Sequence, residues 1–190
     1  MNRNFETALA AYCAPTLAAL KPASLFRWSG DPHGPNAWGL KFKSFGLGLR
    51  SLKRCPDGGC LLYLYRARWL RRILSDPDNA AFLRSRGYVP ERDVESMLDC
   101  LSEKFHAPGA FPHEIGVFLG YPLEDVRGFI ENGGQNYTCC GCWKAYGDPE
   151  AARKKFASYR RCTEIYRRNV RMGVALESLI CASFGGTSAV

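Results

Sequence analysis

Three cysteines within four residues form the densest cluster of reactive side chains in this sequence. Cys139, Cys140 and Cys142 lie in the segment CCGC, and Cys139 and Cys142 have the C-x-x-C spacing that lets two thiolates reach one metal ion around a turn. A tetrahedral site needs two further ligands, and the candidates for them are Cys55, Cys60, Cys162 and His113. The cluster therefore predicts a site for a metal or a redox cofactor.

The same cysteines also have a purely structural interpretation. If the segment is a strand, Cys140 and Cys142 face one side of it and Cys139 faces the other, which works against a compact three-sulfur site. Free cysteine is moreover a common small residue in protein cores. On this interpretation the segment is a strand that packs under helices, and both interpretations are open at this stage.

Basic residues form a second constellation that could bind an anion. They comprise Arg66, Arg68, Arg71 and Arg72 after an apolar run, Arg160, Arg161, Arg167 and Arg168 near the end of the chain, and Lys144. Guanidinium groups bind phosphates and carboxylates through paired hydrogen bonds. With Trp143 and Tyr146 beside Lys144, the pattern favours a flat cofactor with an anionic group, such as a flavin or a haem. Solvated helix faces also explain most of these charges.

Residues 114–130 fit the spacing of a helix-turn-helix, with Gly120 at the turn. Glu124, Asp125 and Glu131 outnumber Arg127 in the would-be recognition helix, so its charge opposes contact with phosphates. A tightly packed helical corner is the favoured alternative.

His113 and Glu114 resemble the start of the zinc-protease motif H-E-x-x-H. The second histidine of that motif is replaced by Val117, so a zinc-protease site is excluded. His113 is then either a capping residue or an acid, base or metal ligand.

Length and composition are those of one globular domain over residues 1–190, with 46% hydrophobic and 23% charged residues. The net charge of +8 is uneven, because residues 73–148 hold 6 basic and 12 acidic residues. This makes nucleic acid an unfavoured partner. No apolar stretch is long enough to span a membrane. Nine cysteines without a dense disulfide pattern favour the cytoplasm.

Three short apolar segments predict strands that share one small sheet, at residues 24–29, 60–66 and 141–146. The segment at 38–54 fits neither period cleanly, and we assign it as a helix. Helices are predicted over 4–20 with a break at Pro15, over 69–83, 91–105, 112–119 and 122–130, and from Pro149 onward. The fold class is α+β: a single domain whose three-stranded sheet, mixed or antiparallel, packs against several helices, the last of them long.

Four strings resemble an uncharacterised bacterial family known as domain of unknown function 3793. They are CAPTLAALKPASLF at 13–26, LLYLYR at 61–66, FPHEIGVFLGYPLEDVRGFI at 111–130 and CCGCWKAYGD at 139–148. The resemblance covers nearly the whole chain. It implies a stand-alone protein of mostly anaerobic bacteria without an established activity. It also implies a redox or metal context, because genes of the family lie near ferrous-iron uptake and flavodoxin genes.

These observations predict a cytoplasmic module that binds a metal or redox cofactor through a thiol site. The predicted metal ligands are Cys139, Cys140, Cys142, Cys162 and His113, and the predicted cofactor-binding residues are Arg66, Arg68, Trp143, Lys144 and Tyr146. Iron, zinc, haem and flavin are the groups considered. A nucleic-acid-binding regulator that uses 114–130, and an enzyme whose Arg/Lys pocket takes a small anionic substrate, are the alternatives.

Overall fold

A computed structural model of the chain describes residues 3–109 and 111–181. Its helices are α1 (Arg3–Tyr12), α2 (Ala14–Leu17), α3 (His33–Lys43), α4 (Ala67–Leu74), α5 (Pro77–Ser85), α6 (Val94–His106), α7 (Ile115–Phe118), α8 (Leu123–Glu131) and α9 (Pro149–Arg171), with a 3₁₀ turn at Leu176–Leu179. Its strands are β1 (Ala23–Trp28), β2 (Leu47–Arg54), β3 (Cys60–Arg66), β4 (Cys139–Cys140) and β5 (Lys144–Ala145). None of the described helices is long and apolar enough to span a membrane.

The main sheet is antiparallel, with β3 between β1 and β2. Side chains of β3 alternate between its two faces, so Tyr63 and Tyr65 enter one apolar cluster while Leu62 and Leu64 enter another. Helices α4 to α7 contribute to the first cluster, and α1, α2, α3 and α9 contribute to the second. The sheet is therefore covered by helices on both faces, which confirms the α+β class.

Local sequence accounts for where the helices begin. Asp76 and Asp93 cap α5 and α6 by accepting backbone N–H groups of the first turn. Asp148 caps α9 in the same way, and Pro149 fits the first turn because its missing N–H would have no partner there. The long terminal helix is thus placed directly after the CCGC segment.

The prediction for the third strand of the sheet was wrong. Residues 141–146 do not join β1 and β3, because β4 and β5 pair only with each other in a separate two-stranded hairpin. The third strand is instead β2, in the region assigned as a helix. That helix, α3, ends at Lys43, and Gly46 has φ +68°, a left-handed conformation that lets the chain turn into β2.

Helix α9 lies in the layer outside the sheet. Its apolar stripe packs mainly against α1 and α2, and Phe156 near its start packs under the β4–β5 hairpin. Phe156 and Tyr166 of α9 are buried, and Trp143 of the hairpin is half-buried. This arrangement holds the cysteine-bearing hairpin between α9 and α8.

Candidate functional site

The β4–β5 hairpin holds the cysteine cluster in a tight turn. Cys139 pairs with Ala145 and Cys140 with Lys144, and the Gly141 N–H donates to the Trp143 carbonyl at 3.0 Å. A Cβ built on Gly141 would overlap the Phe156 ring. Glycine is therefore required here because the backbone of the turn lies directly on α9.

Asp125 fixes the hairpin to α8. Its Oδ2 accepts from Trp143 Nε1 at 2.7 Å, and its Oδ1 accepts from the backbone N–H groups of Tyr146 and Gly147 at 2.6 and 3.0 Å. Asp125 is buried, so these three donors replace the water that the carboxylate loses. The hairpin and α8 consequently form one unit.

A cavity of about 330 Å³ opens between this hairpin, α8 and the segment that leads into α7. Its walls are mostly apolar and aromatic, and they comprise Leu25, Phe111, His113, Ile115, Gly116, Leu119, Tyr121, Asp125, Val126, Phe129, Cys140, Gly141, Cys142, Trp143 and Lys144. The size falls in the lower part of the range of small-molecule pockets, about 300–1,000 Å³. The cavity thus has the dimensions and lining of a ligand site.

Aromatic rings are arranged in contact around the cavity. Trp143 stacks on Tyr121 with ring centres 4.8 Å apart and planes within 22°. The His113 ring lies 4.8 Å from Phe129 and 5.5 Å from Phe111. Such walls match the flat faces of a conjugated ring system.

Two lysines place positive charge near these rings. Lys144 lines the cavity, donates to the Gly134 carbonyl at 2.7 Å, and lies 4.9 Å from the Tyr137 ring. Lys21 lies 5.2 Å from the centre of the Tyr121 ring. The cavity is therefore mostly apolar with the Lys144 ammonium group in its lining, which suits a ligand with an anionic group.

Five of the residues predicted from sequence line this one cavity: His113, Cys140, Cys142, Trp143 and Lys144. They come from two segments of the chain that α8 separates. The structure thus joins part of the predicted metal set to part of the predicted cofactor set.

The three thiols of the hairpin have different surroundings. Cys140 and Cys142 line the cavity, whereas Cys139 packs beside Phe156. Partial burial raises the pKa of Cys142, and the nearby charges of Lys21 and Arg160 act in the opposite direction.

Cys162 lies apart from the hairpin thiols, in the buried layer between α9 and α1, and burial raises its pKa to about 11. Cys55 and Cys60 flank the β2–β3 turn. Over residues 3–109 and 111–181, no three His, Cys, Asp or Glu side chains gather closely enough to hold a metal ion.

Arg66 is held by backbone carbonyls. Its guanidinium is buried, and it donates to the carbonyls of Thr16, Leu17 and Cys181 at 2.7, 2.7 and 2.8 Å. Arg68 is exposed on α4. The structure therefore does not bring Arg66 to Lys144.

Tyr146 has a structural position beside the cavity. Its hydroxyl donates to the Gln135 carbonyl at 2.8 Å, and its ring packs so closely on α8 that a Cβ at Gly128 would overlap it. Its ring therefore supports the wall that α8 provides.

In the segment that resembles a helix-turn-helix, residues of α8 contact the β4–β5 hairpin and α5. Asp125 binds the hairpin, and Arg127 lies 5.6 Å from the Phe82 ring. Gly116 lets α7 approach α8, because a Cβ there would overlap Val126. These contacts are those of a packed helical corner.

A second, more open groove of about 540 Å³ lies between α4, α5 and the start of α6. Arg84 in the lining of this groove forms an ion pair with Glu91, and Asp93, which also lines the groove, caps α6. Arg84, Glu91 and Asp93 are thus engaged in local structure.

Sequence inspection missed Asp125 and Phe129 as site residues. Asp125 counted only as a charge unfavourable for DNA, and Phe129 fits ordinary helix packing. Their roles depend on how α8 meets the hairpin, and no spacing within either segment signals that contact.

Comparison with known proteins identifies the family alone. No curated protein and no solved structure matches the chain. Residues 9–180 match the model of the family described as protein of unknown function DUF3793, and the chain belongs to that family.

Proposed function

We propose that this protein is a binding module for a flat, ring-containing cofactor with an anionic group. A flavin and a haem are two examples of such a cofactor. The observation that carries the proposal is the meeting of His113, Cys140, Cys142, Trp143 and Lys144 at one aromatic cavity. The family resemblance, with its redox context, agrees with this class of ligand.

The walls and the border of the cavity supply the two kinds of contact that such a ligand needs. The Trp143–Tyr121 pair and the His113–Phe129 pair offer flat apolar surfaces for a conjugated ring. Lys144 offers an ammonium group to a phosphate or carboxylate at the border. The ring system enters the cavity, and the anionic group remains near solvent.

The thiols and His113 add redox and metal chemistry to the proposal. Cys140 and Cys142 are exposed at the cavity, where a bound ring would lie beside both sulfurs. Imidazole and thiolate are also the donor types that haem iron accepts. Direct binding of iron or zinc by the cysteines stays a prediction. We place the module in the cytoplasm, because the composition favours a reducing compartment.

The two alternative functions stay predictions with less support. Asp125 on α8 is engaged with the hairpin, which weakens the argument for DNA contact through 114–130. Arg66 is engaged with backbone carbonyls, which weakens the argument for an Arg/Lys substrate pocket.

Ligand titration tests the proposal. The chain is purified anaerobically, its iron and zinc contents are measured, and it is titrated with flavin mononucleotide and with haemin while the absorbance of each ligand is followed. We expect saturable binding of at least one of them at micromolar concentration. Failure of both ligands to bind would refute the proposal.

A blocking variant locates the ligand. Cys140→Trp places a large ring at an exposed position on the cavity wall and is expected to weaken binding at least tenfold. Ser51→Trp is the matched control, since Ser51 is also exposed on a strand but lies outside the cavity lining. Equal affinity in both variants would place the ligand elsewhere.

A further inference from the structure

Basic residues on α9 recur in pairs at intervals of seven residues. The pairs are Arg153 with Lys154, Arg160 with Arg161, and Arg167 with Arg168, and these six residues are called the basic face below. All six are exposed. Seven residues correspond to about 10.5 Å along a helix and nearly two full turns, so each pair lies almost above the previous one.

The basic face lies on the solvent-exposed side of α9. The buried residues of α9 are Ala152, Phe156, Cys162 and Tyr166. At about 100° per residue, the second members of the pairs project from the side opposite these buried residues, and the first members flank the packed side. None of the six makes an ion pair with an acidic side chain in the part of the chain that the structure describes. The positive charge of this face is therefore available to a partner.

We propose that the basic face binds the phosphate backbones of a B-form DNA duplex, with α9 lying in the major groove. This inference is independent of the cofactor proposal and uses a different surface from residues 114–130. The net charge of the whole chain, +8, understates the positive charge of α9, because the acidic stretch at 73–148 lowers the total.

The dimensions of α9 agree with this geometry. The three basic pairs extend over residues 153–168, about 22 Å along the helix axis. A helix with its side chains is about 10–12 Å wide, and the major groove is about 12 Å wide. The first members of the pairs form one row and the second members form another, about 100° apart around the helix. The two rows can thus face the phosphates on opposite sides of the groove.

Residues between the two rows favour DNA over a lipid surface. Ala157 and Glu164 lie there, and both are exposed. A membrane-binding helix carries a broad face of large apolar residues, whereas Ile165 is a single exposed apolar residue beside Arg161 and Arg168. A carboxylate at the position of Glu164 has a partner in a groove, because cytosine N4 donates there. Duplex RNA is disfavoured, since its narrow major groove does not admit a helix.

Salt-dependent binding tests the inference. The full chain is titrated into fluorescently labelled 20-base-pair DNA and RNA duplexes of the same sequence, and anisotropy is measured between about 50 and 200 mM salt. If about six phosphates are contacted, the affinity for DNA falls about a thousandfold over this range. Absence of DNA binding at about 50 mM salt, or equal affinity for RNA, would overturn the inference.

Charge-removal variants locate the surface. Arg167→Ala with Arg168→Ala is expected to reduce the slope of log affinity against log salt by about two and to weaken binding at least tenfold. Arg71→Ala with Arg72→Ala is the matched control, because it removes two exposed arginines from another helix. An equal effect in both double variants would show attraction to net charge alone and contradict the inference.

Two further arms exclude other surfaces and partners. Loss of DNA binding in Arg127→Ala, with retention in the Arg167/Arg168 variant, would assign the interaction to 114–130. Binding to phosphatidylserine vesicles without binding to DNA would assign the basic face to a membrane. Either result would overturn the inference.

Discussion

The side chains of Asp125 and Trp143 join two segments that are 18 residues apart, through a 2.7 Å hydrogen bond from Trp143 Nε1 to Asp125 Oδ2. The same carboxylate accepts two backbone N–H groups after β5. One buried residue of α8 therefore determines where the cysteine-bearing hairpin lies and forms one side of the cavity.

Removal of this carboxylate is expected to destabilise the protein. Asp125→Ala leaves Trp143 Nε1 and the Tyr146 N–H without their acceptor, and we expect the free energy of unfolding to fall by about 3 kcal/mol. Urea denaturation measures the change. Glu131→Ala, which removes an exposed carboxylate from the same helix, is the control and is expected to change stability by less than about 0.5 kcal/mol. Similar values for the two variants would refute the role of Asp125.

The close approach of Gly141 to Phe156 gives a second prediction. Gly141→Ala forces the turn away from α9, so both the free energy of unfolding and the affinity for the cofactor probe are expected to fall. Gly39→Ala is the matched control because open space surrounds that position on α3, and it is expected to stabilise the protein by up to about 1 kcal/mol. Thermal unfolding and ligand titration of both variants provide the comparison. A Gly141→Ala variant as stable as the Gly39→Ala variant would show that the contact is unimportant.

Arg66 is expected to act in folding rather than in ligand binding. Arg66→Met removes the donors to the carbonyls of Thr16, Leu17 and Cys181, and the free energy of unfolding is expected to fall by about 3 kcal/mol. Arg68→Met, which changes an exposed arginine two residues later, is expected to be nearly neutral. Urea denaturation combined with flavin or haemin titration separates the two roles. A stable Arg66→Met variant with impaired binding would instead support the cofactor role predicted from sequence.

The sequence predicted the helical part of the fold well because helix signals are local. The proline and aspartate at the start of α9 and the apolar stripe of α6 both lie within one segment. Strand pairing was harder to predict, since it depends on contacts between distant segments. Residues 141–146 have a strand-like composition, but Gly141 turns the chain back after two paired residues. The segment that forms β2 directly follows helix α3, so the two elements together showed neither helical nor strand periodicity.

The sequence predicted only part of the candidate site, because the site also depends on contacts between distant segments. His113, Cys140, Cys142, Trp143 and Lys144 were identified from residue type and spacing, and they meet at the cavity. The separation of Cys162 from the hairpin thiols was not predictable from sequence, because it depends on how α9 packs against α1. The pair Cys139 and Cys142 has metal-ligand spacing along the chain, yet Cys142 lines the cavity while Cys139 packs beside Phe156.

The buried thiol of Cys162 is expected to make stability depend on alkaline pH. Burial raises its pKa from 9.0 to about 11 in the folded protein, so the folded state holds this proton more tightly than the unfolded chain does. Its contribution to stability is therefore fully present below pH 9 and is lost as the pH rises through about 11. Cys162→Ala is expected to show a shallower decline in the free energy of unfolding between pH 8 and pH 10.5 than the unchanged protein. Urea denaturation under reducing conditions at several pH values measures the slope, and Ser158→Ala, an exposed non-titrating change on the same helix, is the control. Equal slopes for Cys162→Ala and Ser158→Ala would contradict the prediction. They would show that burial between α9 and α1 does not raise the pKa of the Cys162 thiol.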